Sequence, residues 1–326
     1  MKIAIIIPTA KKDIGGDLSE LLTSLEASCE ACEFDFDLSV TVVFNGSSVK
    51  STYPPARLAV KNVTEDREGL VFARHRGVRE NQDADYFVFL DDDVVLGLSY
   101  LEGLMEVVAE SAPLATGALK PLWAAPPPEW ILHRYNSGSP WPNLPFLSIM
   151  EPPTGTTAID PMYAWGANFI ISKNALFKAG GFHPDGFPKS KYILRGDGET
   201  HVAETLKIAG FQAKYSDSLS VSHRVPADRL NIEYLIRRML MEGIGTSYRR
   251  IRQNADIYLP EGLDGLGSTD FETLVKLVKD GMESVDPEHV DKAESTARTL
   301  GYYWHQLACR DNPLIANWCR QAHYFV

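Results

Sequence analysis

The sequence predicts an α/β protein with a mostly parallel central sheet flanked by helices, followed by a C-terminal helical extension. In the first part of the chain, short apolar runs alternate with segments whose apolar residues recur at helical spacing. Two of these runs, 3–7 and 86–90, are continuously apolar, as strands buried on both faces are. The order strand, helix, strand, strand, helix, strand predicts parallel strands that are joined by crossover helices.

The individual elements of the first part follow from short signals. The first strand stops at Pro8, and the second ends at the turn Asn45-Gly46-Ser47-Ser48. The first helix carries four leucines at helical spacing between residues 18 and 25. The predicted ranges are strand 3–7, helix 17–31, strand 39–44, strand 58–61, helix 69–79, strand 86–90 and helix 98–108.

The middle of the chain has a different composition. Between about 120 and 161 prolines cluster, and several tryptophans lie within or beside the segment. We expect an ordered, irregular excursion, because linkers rarely contain so many tryptophans. Regular structure resumes with strand 167–172, helix 200–209, strand 212–215 and helices 231–252, 270–282 and 287–309. We predict one domain over 1–228, with halves 1–120 and 121–228, and a helical extension over 229–326.

Length and composition indicate an ordinary globular protein. The chain has 326 residues, of which 44% are hydrophobic and 23% are charged. A net charge of −11 argues against a protein whose main partner is nucleic acid, although a metal ion and a few arginines can offset this field around a phosphate ligand. No apolar run is long enough for a signal-peptide core or a membrane span, so we expect a cytoplasmic protein.

The four cysteines do not match a known motif. Cys29 and Cys32 have C-x-x-C spacing, but they lie near the end of a predicted helix, whereas a thioredoxin-like pair lies at the start of one. A zinc site would need two more ligands, and Cys309 and Cys319 are distant and lack matching spacing. We therefore interpret the cysteines as structural or incidental thiols.

Three acidic residues, Asp91-Asp92-Asp93, follow the apolar strand 86–90 directly. Along an extended chain Asp91 and Asp93 share a face, and Asp92 points away. Two carboxylates at such a short separation repel each other. A divalent ion such as Mg2+ or Mn2+ relieves the repulsion, because it prefers carboxylate oxygen. Ligands of open α/β sheets bind at the carboxyl ends of strands, where the trio lies. The alternative is a solvated loop or the N-terminus of the next helix.

A second group of polar residues lies in the stretch 193–201. Asp197, Glu199 and His201 stand on a glycine-rich loop that leads into a helix. Glycines at such a junction allow a ligand to approach the backbone closely, and a carboxylate fixed there could take a proton from an acceptor hydroxyl. The alternative is plain helix capping by Asp197 or Glu199.

Basic residues follow the predicted strand at 212–215. In a site that already holds carboxylates, His223 would favour Mn2+ slightly over Mg2+, whereas a lone histidine is more often structural. Several arginines lie on the helix 231–252; some could meet a diphosphate or an acidic lipid, and a solvated face is favoured. The amphipathic stretch Ile232–Ile251 permits a homodimer or peripheral contact with the inner face of a membrane, and packing on the first domain is favoured.

Taken together, these segments resemble family 2 of the nucleotide-sugar glycosyltransferases, which have the GT-A fold. The matching pieces occur in the expected order over roughly residues 1–250. They are 3–9, the turn at 45–47, the helical segment 69–77, the D-x-D motif within 89–93, the segment 165–171, 179–182 with 196–200, 206–211 and 221–223. The resemblance implies a Rossmann-like sheet, a nucleotide-binding half over 1–120 and an acceptor-side half over 121–228.

The resemblance also implies roles for single residues. Asp93 would bind Mn2+ or Mg2+, helped by Asp91 and completed by His223. Glu199 would be the catalytic base, with Asp197 as a competing candidate. The implied nucleotide-binding residues are Pro8, Thr9, Asn45, Arg74, Asp91 and Asp92. Among them, Arg74 would contact the nucleobase. On the acceptor side the residues are Trp165, Gly166, Trp141 and Trp130, and these tryptophans could equally be core residues.

The family inverts configuration in one displacement, so we expect transfer of a sugar from a nucleotide-diphosphate sugar, with UDP favoured, to a hydroxyl of a glycan or glycolipid. Two departures affect this expectation. Phe44 stands where the family often has a base-contacting aspartate. The usual adjacent Glu-Asp pair is here Asp197-Gly198-Glu199, and counting back from the end of the helix places Glu199 at the catalytic position.

Two other functions remain open at the level of sequence. A D-x-D motif at a strand end also serves metal-dependent phosphotransferases and phosphohydrolases, which need no nucleotide sugar. A non-catalytic nucleotide- or glycan-binding protein of the same fold would bind ligand without turnover. A nicotinamide enzyme is disfavoured, because no G-x-G-x-x-G follows the first strand.

Overall fold

The computed structural model describes residues 1–10, 16–46, 58–256 and 259–325, apart from the side chain of residue 264. The predicted turn that begins at Asn45 is therefore described only as far as Gly46, and its two serines lie outside these ranges. The described chain forms two sheets, of eight and five strands, with helices around them. Among its helices, not one combines the length and the apolar character that crossing a membrane requires.

The larger sheet has a parallel half and a mixed half. Its strands are β1 (Lys2–Thr9), β2 (Asp37–Asn45), β3 (Val60–Glu65), β4 (Tyr86–Leu90), β6 (Leu114–Thr116), β10 (Ala158–Ile159), β11 (Asn168–Ser172) and β12 (Ala213–Tyr215). They lie in the order β10-β12-β6-β11-β4-β1-β2-β3. Strands β3, β2, β1 and β4 are parallel, and β11 runs antiparallel to both of its neighbours. The predicted α/β class is confirmed, and the continuously apolar β1 and β4 lie adjacent in the parallel half.

The smaller sheet was not predicted, because its strands are short and lie far apart along the chain. They are β5 (Val94–Leu96), β7 (Leu119–Trp123), β8 (Asn143–Leu144), β9 (Ile149–Met150) and β13 (Val221–Val225). Their order is β5-β13-β7-β9-β8. Because β4 ends at Leu90 and β5 begins at Val94, the acidic trio 91–93 connects the two sheets.

The helices agree with the predicted ones to within a few residues. They are α1 (Asp17–Ala31), α2 (Leu70–Glu80), α3 (Tyr100–Ala109), α4 (Glu129–Asn136), α5 (Lys173–Lys178), α6 (Thr200–Ile208), α7 (Ile232–Arg252), α8 (Phe271–Asp280), α9 (Pro287–Asp311) and α10 (Pro313–Cys319). Three short ones, α4, α5 and α10, were missed. The proline- and tryptophan-rich excursion is ordered, as expected, and contains α4, β8 and β9.

Two hydrophobic cores hold the protein together. One surrounds the larger sheet and includes residues near the end of the chain, such as Tyr248, Cys319 and Tyr324. The other lies where the C-terminal helices pack on the 130–149 region. The C-terminal helices thus share both cores with the rest of the chain, which agrees with the favoured packing of α7. The boundary at 228/229 stays a prediction.

Candidate active site

The acidic trio lies at the carboxyl edge of the parallel strands. β1 ends at Thr9, β2 ends at Asn45, and β4 ends one residue before Asp91, so the three strand ends meet at one edge. Residues 92 and 93 form a turn rather than extended chain. Asp92 therefore does not point away, as strict alternation predicted. Its carboxylate accepts a hydrogen bond from the Thr9 hydroxyl, and all three aspartates line one cavity.

The smaller sheet brings His223 to this edge. In the β13–β5 pairing His223 lies directly opposite Val94, and the next backbone N–H, of Arg224, donates to the carbonyl of Asp93. The His223 Nε2 atom lies 3.2 Å from Asp93 Oδ1. Arg229 Nη2 lies 3.5 Å from the other oxygen of Asp93. The ligand atoms of Asp91, Asp93 and His223 lie within 4.8 Å of one another.

The electrostatics of this group fit a divalent ion. Burial raises the pKa of Asp91 to about 6, and the neighbouring Asp93 adds to the shift while Arg74 opposes it. Burial disfavours the charged form of His223, but the hydrogen bond to Asp93 and the two carboxylate charges outweigh it and raise its pKa. Among the residues that the structure describes, the buried Nδ1 of His223 has no hydrogen-bond partner. Two carboxylates and an imidazole are a donor set for Mn2+ or Mg2+, and these residues fit that role.

A cavity of about 530 Å³ opens beside the trio, large enough for a nucleotide-sized ligand. Pro8, Thr9 and Asn45 line it, as predicted from the sequence. The amide of Asn45 already makes local bonds: its Nδ2 donates to the Arg67 carbonyl at 2.7 Å, and its Oδ1 accepts from the Gly69 N–H at 2.9 Å. A carbonyl oxygen has a second lone pair, so Oδ1 keeps the capacity to accept from a nucleobase.

Arg74 does not contact this cavity as the resemblance implied. It is buried on α2 and points between the trio and α6, where its Nη1 lies 3.0 Å from Glu199 Oε2 and its Nη2 lies 3.9 Å from Asp91 Oδ1. Its guanidinium also lies over the ring of Phe182, 5.0 Å from the centroid. A buried guanidinium needs carboxylate partners, and α2 carries Arg74 to the two that are available there.

Glu199 is the N-cap residue of α6, and its carboxylate is held at both oxygens. Oε1 accepts from the Gly166 N–H at 2.9 Å, and Oε2 accepts from Arg74. A side chain at residue 166 would not fit, because a Cβ atom there would lie 2.0 Å from Arg74 Nη2. Burial favours the neutral acid, but Arg74 and the backbone donors outweigh it and hold the pKa of Glu199 below its usual range. Glu199 is therefore an ionised carboxylate in a fixed position.

Asp197 has a different environment. Its Oδ1 lies 2.9 Å from His183 Nδ1, and its side chain is only 5% exposed. Burial raises its pKa to about 6 and lowers that of His183 to about 2. The ring of His201 stacks on His183 with centroids 3.4 Å apart. Asp197 thus accepts a hydrogen bond from a neutral imidazole, which makes it a poorer candidate for the base than Glu199.

A second cavity, of about 240 Å³, adjoins the first and contains Asp197, Glu199 and Trp165. Trp165 is half-buried, and its Nε1 donates to the Met162 carbonyl. Trp141 packs on Tyr163, with ring centroids 5.0 Å apart. The placement of Trp130 on the acceptor side is corrected. It is buried in the second core against Phe146, because the amphipathic helix α4 turns this face inward.

Three residues form the shared wall of the two cavities: Phe146, Ser148 and Arg238. The sequence did not single out the first two, whereas Arg238 is one of the helix arginines of which some were expected to meet a diphosphate or an acidic lipid. Arg238 stands on α7 in one stripe with Glu242, Gly245 and Arg249, which also line the second cavity. A signal for it existed. Arg238 is three residues from the buried Leu235 and adjacent to the buried Met239, so it borders the apolar face of the helix.

No protein-family model and no curated protein matches the chain. Solved structures do match. The mannosyltransferase PcManGT from Pyrobaculum calidifontis, in complex with GDP-Man and Mn2+, is 14% identical, with a TM-score of 0.50 over 92% of this chain and 85% of that one. TarS 1–349 of S. aureus in complex with UDP-GlcNAc is 13% identical (TM-score 0.46; 100% and 93% covered). GalNAc-T7 with UDP, GalNAc and Mn2+ is 13% identical (TM-score 0.48; 86% and 54% covered). The likeness to the mannosyltransferase confirms the predicted GT-A fold.

Proposed function

We propose that this protein is a metal-dependent, inverting glycosyltransferase. It moves a sugar from a nucleotide-diphosphate sugar, with a UDP-sugar favoured, to a hydroxyl group of a glycan or a lipid-linked acceptor. One observation carries the proposal: the Asp91–Asp93–His223 group and the ionised Glu199 lie in adjoining cavities, and Arg74 contacts both Asp91 and Glu199. A fold shared with a mannosyltransferase that was solved with GDP-Man and Mn2+ supports it.

On the donor side, Asp91, Asp93 and His223 would hold Mn2+ or Mg2+. The chemistry that such an ion supplies is positive charge against the diphosphate that leaves. Thr9 fixes Asp92 through its hydroxyl, and Pro8 and Asn45 border the part of the cavity in which the nucleoside would lie. Arg238, in the wall between the cavities, adds a cation beside the same diphosphate.

On the acceptor side, Glu199 removes the proton from the attacking hydroxyl. Its carboxylate is ionised and pre-oriented by Gly166 and Arg74, so little rearrangement is needed when the acceptor binds. A single base of this kind suits one direct displacement with inversion. Trp165 presents an apolar ring to the acceptor sugar beside this carboxylate.

A thermal-shift panel tests the donor assignment. UDP, GDP, dTDP, ADP and CDP are each added with and without Mn2+, and the melting temperature is measured. We expect one nucleotide, UDP first, to stabilise the protein only when the metal is present. Absence of any metal-dependent nucleotide shift would contradict the proposal. Release of phosphate from a simple phosphate ester, with no nucleotide-sugar hydrolysis or transfer, would instead identify a phosphohydrolase.

A further inference from the structure

Three side chains that bind soft metal ions meet inside the C-terminal helices. His305 and Cys309 lie four residues apart on α9, and so on one face of it, and Cys319 is the last residue of α10. All three are buried, with exposed fractions of 0%, 3% and 0%. The three residues are close along the chain, but their spacing does not match a common zinc motif. The cluster forms because α10 folds back onto α9. We propose that these residues form a structural site for a thiophilic divalent cation, and that Zn2+ is the ion that fits.

The distances within the cluster are those of a coordination sphere. The sulfur of Cys319 lies 3.9 Å from Nε2 of His305, and the sulfur of Cys309 lies 3.9 Å from Nε2 and 3.8 Å from Nδ1, so the Cys309 side chain must turn toward Nε2 to share an ion with it. All three ligand atoms lie within 4.8 Å of one another. Ligands that stand about 2.0–2.3 Å from zinc in trigonal or tetrahedral directions are separated by about 3.5–4 Å. The ligands are therefore already close to the separation that the ion requires.

The imidazole is also held from its other side. Nδ1 of His305 lies 2.7 Å from the Ser247 hydroxyl, which accepts a further hydrogen bond from the Gln306 amide at 2.9 Å. Ser247 and Gln306 are themselves buried. In metal sites the ligating histidine usually bonds through its second nitrogen to such a partner, which fixes the tautomer and the ring orientation. Donation from Nδ1–H to Ser247 leaves the Nε2 lone pair for the metal.

Charge balance favours a divalent ion. Two thiolates and a neutral imidazole carry two negative charges, which Zn2+ cancels, whereas a monovalent ion would leave a net charge in the interior. Thiolates also select against the hard ions proposed for the aspartate site. In the part of the chain that the structure describes, no fourth His, Cys, Asp or Glu joins this cluster. The remaining position on the ion would take a water molecule.

The site would fix the end of the chain against the active-site region. Next to Cys319, Trp318 donates from Nε1 to the Leu194 carbonyl, in the loop that leads to Glu199. A few residues on, the Tyr324 carbonyl accepts from His75 on α2 at 3.0 Å. An ion that joins α9 to α10 therefore stabilises the segment that supports this loop. The inference does not depend on the proposed transfer chemistry.

Cobalt titration of the full-length, reduced protein tests the site. Co2+ is added to metal-free protein, and the sulfur-to-cobalt charge-transfer band is followed in the near ultraviolet, a band that the aspartate site cannot give. We expect saturation at one equivalent, displacement by one equivalent of Zn2+, and a higher melting temperature with Zn2+. Absence of the band in the reduced wild-type protein overturns the proposal, whatever the variants do.

Matched variants locate the ligands. Cys309→Ser and Cys319→Ser should each weaken or remove the band and lower zinc retention after gel filtration by at least tenfold. Cys29→Ser, a thiol outside the cluster, and Asp93→Asn, in the other candidate site, should leave both unchanged. A band that persists in Cys319→Ser, or that disappears in Cys29→Ser, overturns the assignment.

Discussion

Glu199 owes its proposed role to the two groups that hold it. The Gly166 N–H and the Arg74 guanidinium each donate a hydrogen bond to one oxygen of the carboxylate, so the side chain is ionised and has one orientation. Arg74 also approaches Asp91 and thereby links the proposed acceptor side to the proposed donor side. At the scale of single residues, the proposed function rests on this chain of contacts.

Replacing the base isolates its chemistry. Glu199→Gln keeps an oxygen for the Gly166 N–H but cannot take a proton, so we expect donor binding to remain and transfer to fall by on the order of a hundredfold or more. Initial rates of transfer and the Mn2+-dependent thermal shift are the measurements. Asp197→Asn is the comparison, and we expect a smaller loss. The reverse ranking would assign the base to Asp197.

Asp93 tests the donor side. In Asp93→Ala we expect transfer to be abolished and the Mn2+-dependent nucleotide shift to disappear, because His223 and Arg229 lose the carboxylate between them. The melting temperature without ligand should change little, since the removed carboxylate is itself partly repelled by Asp91. Asp83→Ala, an exposed aspartate, is the control. Normal turnover in Asp93→Ala would remove the metal assignment.

Gly166 tests whether the position of the base matters. A methyl group in Gly166→Ala would lie 2.0 Å from Arg74 Nη2 and 2.9 Å from Glu199 Oε1, so both must move. A misplacement of about 1 Å can cost on the order of a hundredfold in rate, so we expect transfer to fall strongly with nucleotide binding kept. The control is Gly265→Ala, which meets no atom within 4 Å. Equal rates in the two variants would mean that the base tolerates displacement.

The sequence was informative about acids at strand ends and less so about arginine. Asp91 and Asp93 lie where expected because they follow the end of β4, and His223 joins them as the resemblance implied. The resemblance assigned Arg74 to contact with the nucleobase. Its actual partners depend on how α2 packs on β1, and no local sequence pattern shows that packing. There a Cβ atom at Gly77 would lie 2.3 Å from Ile6 Cγ2. Trp130 was assigned to the acceptor side because aromatic side chains pack against sugars as well as in hydrophobic cores.

At the scale of elements, α7 and α9 pack closely against each other in the C-terminal part. Glycines permit this approach: a Cβ at Gly301 would lie 2.0 Å from the Leu240 carbonyl oxygen, and one at Gly243 would lie 2.1 Å from that of Arg298. α7 also carries Arg238 and Glu242 to the second cavity. The spacing of the two helices therefore affects both stability and the acceptor side.

Widening this contact should destabilise the protein. Gly301→Ala forces the helix backbones apart, and we expect a loss of about 1–3 kcal/mol in unfolding free energy. Denaturant unfolding followed by circular dichroism measures it. Gly281→Ala, where the nearest atom to the new methyl would be 3.5 Å away, is the control and should change stability little. A neutral Gly301→Ala would show that the helices can separate without cost.

Long helices and buried strands were predictable from periodicity, and the smaller sheet was not. Its strands have two to five residues and pair across distant parts of the chain, so β5 with β13 joins residues 94–96 to 221–223. Such pairing is decided by tertiary contacts rather than by local propensity. For the same reason the sequence did not show why His223 meets Asp93.

At the scale of the whole molecule, buried neutral histidines set the response to acid. Burial lowers the pKa of His75 to about 3 and that of His201 to about 4, and His183 is shifted further in the same direction. Both ring nitrogens of His75 are hydrogen-bonded: one donates to the Tyr324 carbonyl, and the other accepts from the Phe182 N–H. Protonation of the accepting nitrogen would break the bond to Phe182. These rings must charge when the protein unfolds below pH 6.5.

Stability should therefore fall on acidification. The contribution of each ring is complete above pH 6.5 and is lost as the pH falls toward its folded-state pKa, at about 1.4 kcal/mol per pH unit. Asp91 and Asp197, each with a pKa raised to about 6, act in the opposite sense between about pH 3.8 and 6 and offset two of the three rings. We expect a net loss of about 1.4 kcal/mol per pH unit near pH 5, measured from denaturant midpoints. His75→Gln should reduce the slope of unfolding free energy against pH by about the contribution of one proton. An unchanged slope would contradict the view that His75 is neutral in the folded protein.

The GT-A architecture as a whole was predictable, because the order of strands, helices and motifs constrains it. The second cavity was not, because it is assembled from the excursion, the 193–201 loop and α7 together. No single stretch of sequence contains that surface.

The connection of the two sheets through residues 91–93 has a thermodynamic consequence. Asp91 and Asp93 continue the larger sheet, whereas His223 and its neighbour Val94 belong to the smaller one. The proposed donor site thus exists only while the sheets are docked. Partial opening of the smaller, short-stranded sheet would dismantle the site while the larger sheet persists. We therefore expect heat inactivation to precede global melting as a separate event.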